Sequence, residues 1–237
     1  MIRSLLVLSA GTCAAIFAIG CSSTRPSWEP SDPQEQLDLV NTGVSHATGT
    51  IEATSVREIY DAYRSDGEAI TTILSALGTT NFSGSKCVTK TTNDGTVDLA
   101  CASDGKAKGT VQWSSSDPIT AASSQILLTM SADNACVGSL CFQLELVLQA
   151  KSALSGLTTT VVASADRGSV HTFSGRQALI SSETTSYTLA LFDSGGRSYA
   201  FTPAVDGSFI IQGANGPYTC TPNGPKVSCK GATQFDL

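Results

Sequence analysis

The chain of 237 residues sets 14 Lys and Arg against 20 Asp and Glu, a formal net charge of −6. Such an acidic chain has no basic stripe to neutralise phosphates, which excludes nucleic acid as a partner. Only 14% of its residues are charged and 41% are apolar, the composition of a folded protein whose Ser, Thr and Gly supply much of the solvated surface.

The first segment, Met1 to Gly20, has one basic residue, Arg3, and then an apolar run from Leu5 to Ile19 broken only by Ser9, Gly11, Thr12 and Cys13. That is the plan of a removable export signal (residues 1–20). It is shorter than the ~18 apolar residues of a spanning helix, and polar Ser22, Ser23, Thr24 and Arg25 follow at once. The junction Ala18-Ile19-Gly20-Cys21 resembles the lipobox of bacterial lipoproteins, with Ala18 where Leu is commonest. The resemblance implies cleavage between Gly20 and Cys21 and acylation of the Cys21 thiol, the nucleophilic sulfur that this chemistry needs. Cys13 is a poorer acceptor, since it would leave an apolar run of only Leu5 to Ala10. Ser22 stands where Asp marks inner-membrane retention in that family, so the resemblance implies delivery to the outer membrane. Palmitate-type chains would anchor the protein there, each buried CH₂ contributing ~0.8 kcal/mol.

From Cys21 about 217 residues remain, and without Arg3 there are 13 basic residues against 20 acidic ones, a net charge near −7. Residues 21–36 hold Pro26, Pro30 and Pro33 with no apolar period, and read as a flexible tether reaching up to ~45 Å in a polyproline-like state. Trp28 in this stretch suits either the lipid interface or a site folded back on the domain.

The remaining residues, 37–237, form one domain. Asp32-Pro33-Gln34-Glu35 fits a helix start, with Leu37, Val40, Val44 and Ile51 at helical spacing after it. A stronger helix runs from Val56 to Leu77, opened by the capping box Ser55-x-x-Glu58 and closed by Gly78. Its stripe of Val56, Ile59, Tyr60, Tyr63, Ile70, Ile73, Leu74 and Leu77 faces a core, which makes the tyrosines packing residues.

Residues 37–78 are thus helical, and over 81–237 the period alternates. Turn pairs recur at Asp94-Gly95, Asp104-Gly105, Asp117-Pro118, Arg167-Gly168, Gly195-Gly196, Asp206-Gly207, Asn215-Gly216 and Asn223-Gly224. They separate about ten to twelve strands, clearest at Phe142, Leu144, Leu146 and Leu148 on one face with Gln143, Glu145 and Gln149 on the other. The fold class is mainly β: an antiparallel meander forming a β-sandwich or curved open barrel, with one or two N-terminal helices packed on it.

Six further cysteines fall as near neighbours, Cys87 with Cys101, Cys136 with Cys141, and Cys220 with Cys229. Export makes disulfides the expected state. A three-residue loop Asn93-Asp94-Gly95 would put Thr92 opposite Thr96 and Cys87 opposite Cys101 on paired strands. The spacings lack a zinc knuckle, so no metal is expected.

No catalytic motif emerges. The chain lacks a G-x-S-x-G elbow, a phosphate loop and an H-E-x-x-H helix. Its two histidines, His46 and His171, define no site by spacing, and the carboxylates Asp61, Asp66 and Glu145 read as solvated surface. The expected function is a non-enzymatic structural or interaction module of the envelope, without cofactor, whose partners are the membrane and an envelope protein or apolar ligand. The order of anchor, helix and long meander resembles the lipoprotein-localisation carriers in layout, sharing no motif and adding three cysteine pairs. That resemblance implies an alternative, a carrier or sensor of an apolar ligand under a helical lid. A hydrolase whose site is assembled from distant residues is the third reading.

Overall fold

A computed structural model describes residues 25–120, 123–153, 156–181, 185–223 and 226–237. The cleavage and acylation site at Gly20 and Cys21 lies outside them. Three helices come first: α1 (Pro33–Ser45), α2 (Ala53–Ala62) and α3 (Glu68–Thr79), the last two joined by a π-helical turn (Tyr63–Gly67). Next are β1 (Val88–Lys90), β2 (Asp94–Asp98), a one-turn α4 (Leu99–Ala102), β3 (Thr110–Ser114), β4 (Gln125–Val137), β5 (Leu140–Ala153), β6 (Gly156–Arg167) and β7 (Val170–Ile180). The chain ends in β8 (Thr185–Phe192), β9 (Ser198–Pro203), β10 (Phe209–Gly213), β11 (Gly216–Asn223), β12 (Lys226–Lys230) and β13 (Gln234–Asp236).

These thirteen strands pair in sequence order as one antiparallel sheet. It is mainly β and antiparallel as expected, and open: among the described residues β1 does not pair with β13 and no second sheet packs on the first. Helices cover the two faces instead. On one face, Ile70, Ile73, Leu74 and Leu77 of α3 pack on Leu128, Leu144, Leu146, Leu148 and Val161. Further along that face Val56 and Ile59 of α2 pack on Leu189, Tyr199, Phe201, Phe209 and Ile211. On the other face, Leu37 and Val40 of α1 pack on Val147, Val162, Phe173 and Ala190.

Strand β6 shows why both covers are needed: Val161, Val162 and Ala163 are consecutive and fully buried, so neither of its faces can meet water. The chain passes from one face to the other over residues 46–52. The Thr48 and Gly49 N–H groups both donate to the Ser198 carbonyl, and the Ala214 N–H donates to that of Gly49. The Asn215 side chain then bonds the N–H and C=O of Ile51 at 2.8 and 2.9 Å.

Local details differ from the sequence reading. Asp32 caps α1 as expected, accepting from the Gln34 and Glu35 N–H groups. The extended tether, however, does not reach Gln36, because the capped helix begins at Pro33 and Trp28 is already seated on the sheet. The second helix starts earlier than Val56. Its cap is Glu52, and Ser55 closes the box from the N3 position, so the Ser55 to Glu58 pairing does not form.

All three expected disulfides are present. Cys136 and Cys141 stand opposite one another on β4 and β5, as do Cys220 and Cys229 on β11 and β12. Cys87–Cys101 forms by another route. Lys90 pairs with Gly95 and Val88 with Val97, so the register of β1 and β2 is not the one the loop suggested. Cys101 lies in α4, whose single turn, capped by Asp98, brings its Cα to 5.3 Å from that of Cys87.

The seat of α1 depends on Gly175. A Cβ there would lie 2.3 and 2.4 Å from the two Val40 methyl groups, and Val40 is fully buried. Gly175→Ala should therefore lift α1 and cost about 2 kcal/mol, read as a lower urea midpoint. An unchanged midpoint would mean that α1 is not held against β7.

Candidate functional site

The α1 face carries a groove of about 670 Å³ between the start of α1 and strands β2 to β5. Its floor is built from directly opposed residues. Thr96, Gln112, Ser131 and Glu145 make one row across the four strands, and Asp94, Ser114, Thr129 and Val147 the next. Three interstrand steps make each row about 14 Å long. The Ser114 and Thr129 hydroxyls are joined at 2.9 Å. Ser31, Pro33 and Gln36 form the wall. The groove thus presents hydroxyl and amide groups with two carboxylates, suited to hydrogen-bonding a polar partner.

The segment before α1 fixes this wall through two kinds of contact. Trp28 stands edge-on to Phe173 and stacks on Phe192, each at 5.7 Å between centroids, and its indole N–H donates to the Ser194 carbonyl at 3.2 Å. The next residue, Glu29, has a side chain wholly removed from solvent. Its Oε2 lies 2.5 Å from His171 Nε2, and His171 Nδ1 lies 2.8 Å from Asp166 Oδ1. Arg25 completes the chain of charges, with Nε 3.1 Å from Glu29 Oε1 and Nη2 on Glu145 at the edge of the groove. Burial disfavours the charged His171 ring, but the hydrogen bonds and charges of Glu29 and Asp166 outweigh it and hold the imidazole above its ordinary range.

This cluster can hold, and its geometry is poor for catalysis. Both ring nitrogens of His171 face carboxylates, so neither is open to a substrate proton. Of the other residues singled out from the sequence, His46 is exposed beyond the end of α1, its Nδ1 2.9 Å from Ser45 Oγ. Asp61 is exposed. Asp66 is not surface as expected: it is 3% exposed and takes Arg167 Nη2 at 2.9 and 3.0 Å, tying the π-helical turn to the end of β6. Glu145 is bound to Arg25. The tyrosines pack as expected, Tyr60 stacking on Phe209 at 5.1 Å and Tyr63 lying against Phe201 at 4.7 Å. Burial, with the charges of Tyr187, Glu68 and Tyr60 behind it, pushes the Tyr63 hydroxyl up to about 12. The six cysteines are spent in disulfides, which leaves none of them for zinc.

Comparison with protein-family models, curated proteins and solved structures finds no match. The residues themselves therefore carry the functional argument.

Sequence reasoning missed Arg25, Glu29 and Asp166. The hairpin turn at Gly168 contained the signal for one of them, because pairing Arg167 with Val170 places Asp166 opposite His171. Glu29 meets His171 from 142 residues away, which no local pattern announces.

Because the folded His171 holds its proton above the unfolded value of 6.5, the charged staple contributes fully below that pH and is lost as pH rises through the elevated folded value. His171→Gln should lower the urea midpoint near pH 6, by about 2 kcal/mol of stability, and much less at pH 9. Equal losses at both pH values would show that the ring gains no proton on folding.

Proposed function

We propose that the protein is a lipid-anchored, non-enzymatic module of the bacterial outer membrane, attached through acyl chains on Cys21 and holding a polar partner in the groove beside α1. The observation that carries this reading is the division of labour between the faces. Under α3 the sheet is filled by its own side chains, with Ile70, Ile73, Leu74 and Leu77 each 1% exposed or less, whereas the α1 face keeps an open groove into which the side chains of Thr96, Gln112, Ser131 and Glu145 project hydrogen-bonding groups. A carrier that stores an acyl chain beneath that helix would need room where these residues pack. The segment that fixes the groove wall is seated from Arg25 onward, four residues after Cys21, which would hold the binding surface near the membrane.

Two experiments test the two halves of the proposal. Cys21→Ala should move the protein from the membrane to the soluble fraction with an unchanged melting temperature, and continued membrane partition would count against the anchor. Gln112→Arg combined with Ser131→Arg fills the groove with charge at exposed positions. The pair should reproduce the envelope phenotype of a deletion strain while leaving protein level and melting temperature unaltered. Wild-type behaviour of that strain would remove the groove as the working surface.

A further inference from the structure

On the α3 face, β7 separates the two cores with almost no apolar bulk, presenting Ser174, Arg176 and Ala178. Arg176 stands between Val161 of β6 and Leu189 of β8 and is only 4% exposed. Its guanidinium lies 4.4 Å from the centroid of the Tyr187 ring. Among the described residues no carboxylate pairs with it, and its buried Nε and Nη1 find no hydrogen-bond acceptor. The neighbouring Thr159 hydroxyl is buried and unpartnered as well. Arg176 Nη1 and Thr159 Oγ1 pack against the last turn of α3, 3.2 and 3.4 Å from where a Cβ of Gly78 would lie, so glycine is what lets the helix end sit directly on both groups.

An unpaired buried cation is among the costlier features a fold can retain, and here burial pushes the guanidinium pKa down. The surroundings indicate what would offset the cost. Helix α3 ends at Thr79, and past it the same face of the sheet is apolar and, among the described residues, only partly covered. Leu157 is 37% exposed, and Ile126, Ala150 and Ile180 are half-buried. Ile180 lies four residues along β7 from Arg176, about 13 Å at strand spacing, the reach of a medium-length acyl chain.

We propose that this rim binds an anionic amphiphile, whose carboxylate or phosphate head seats against Arg176 and Thr159 while its tail lies along Leu157 and Ile180. Arginine presents paired donors to such a head group, the charge-assisted geometry in which hydrogen bonds are strongest. The site is on the face opposite the groove and the head group reaches Arg176 and Thr159 only if the last turn of α3 gives way at Gly78, so it stands or falls independently of the module reading.

The test uses the full chain and four probes at equal concentration, below any micelle threshold: decanoate, decyl phosphate, decanol and acetate. Decanoate or decyl phosphate should bind by calorimetry and raise the melting temperature, whereas decanol and acetate should do neither. Arg176→Met should weaken binding at least about tenfold, the loss of one charge-assisted contact, and its ligand-free melting temperature should equal or exceed that of the wild type. Three outcomes would overturn the site: no binding by either anionic probe, equal binding of decanol or acetate, or a marked loss of stability in R176M. The last would assign Arg176 to holding the final carbonyls of α3.

Discussion

The architecture depends on one constraint: a meander of thirteen strands has two faces, and its central strands are apolar on both. A closed barrel would bury one face and a second sheet would bury one face of each layer. Neither forms. The N-terminal third of the chain supplies two covers instead, α1 for one side and α2 with α3 for the other, joined by a strap around the strand ends. Everything that gives the protein a usable surface follows from where those covers stop. The polar groove opens where α1 begins, and the apolar rim opens where α3 ends.

The covers are held by different physics. Helices α2 and α3 rely on area, burying a continuous stripe whose transfer from water is worth about 25 cal/mol per Å². The segment leading into α1 is short and has little area to offer. It is held by an aromatic slot for Trp28 and by the buried carboxylate of Glu29 between Arg25 and His171. A buried ion pair adds less to stability than its geometry suggests, because both charges give up water. It is selective, though: only one placement of the segment satisfies every group, so it fixes the groove wall in register with the floor.

Much of the fold was legible in the sequence because its signals are local. The Asp32 cap, the α3 stripe, the alternation in β5 and the partnership of the six cysteines all read correctly, since each depends on residues close in sequence. The errors are equally instructive. Cys87 was matched with Cys101 for the wrong reason, because a four-residue helix substituted for the strand that pairing arguments assume. The helix cap was displaced by three residues because Glu52 and Ser55 use the same two-partner logic as Ser55 and Glu58, and local pattern cannot rank them. The charge network at Glu29 and the orphaned Arg176 were invisible, since an ionisable residue in an alternating strand looks the same whether it meets water, a carboxylate or nothing.

The strap at residues 46–52 has a further consequence for biogenesis. A chain synthesised from its N-terminus releases α1, α2 and α3 first, while β4 to β10, the strands that receive them, follow only with residues 125–213. Until then Leu37, Val40, Ile70 and Leu77 have nothing to bury against, and isolated helices of ten to thirteen residues are marginal in water. The clasp is therefore the first part made and the last part closed. Folding must wait for non-local contacts that are slow to find, and throughout that interval the nascent chain displays apolar stripes of the kind that chaperones recognise.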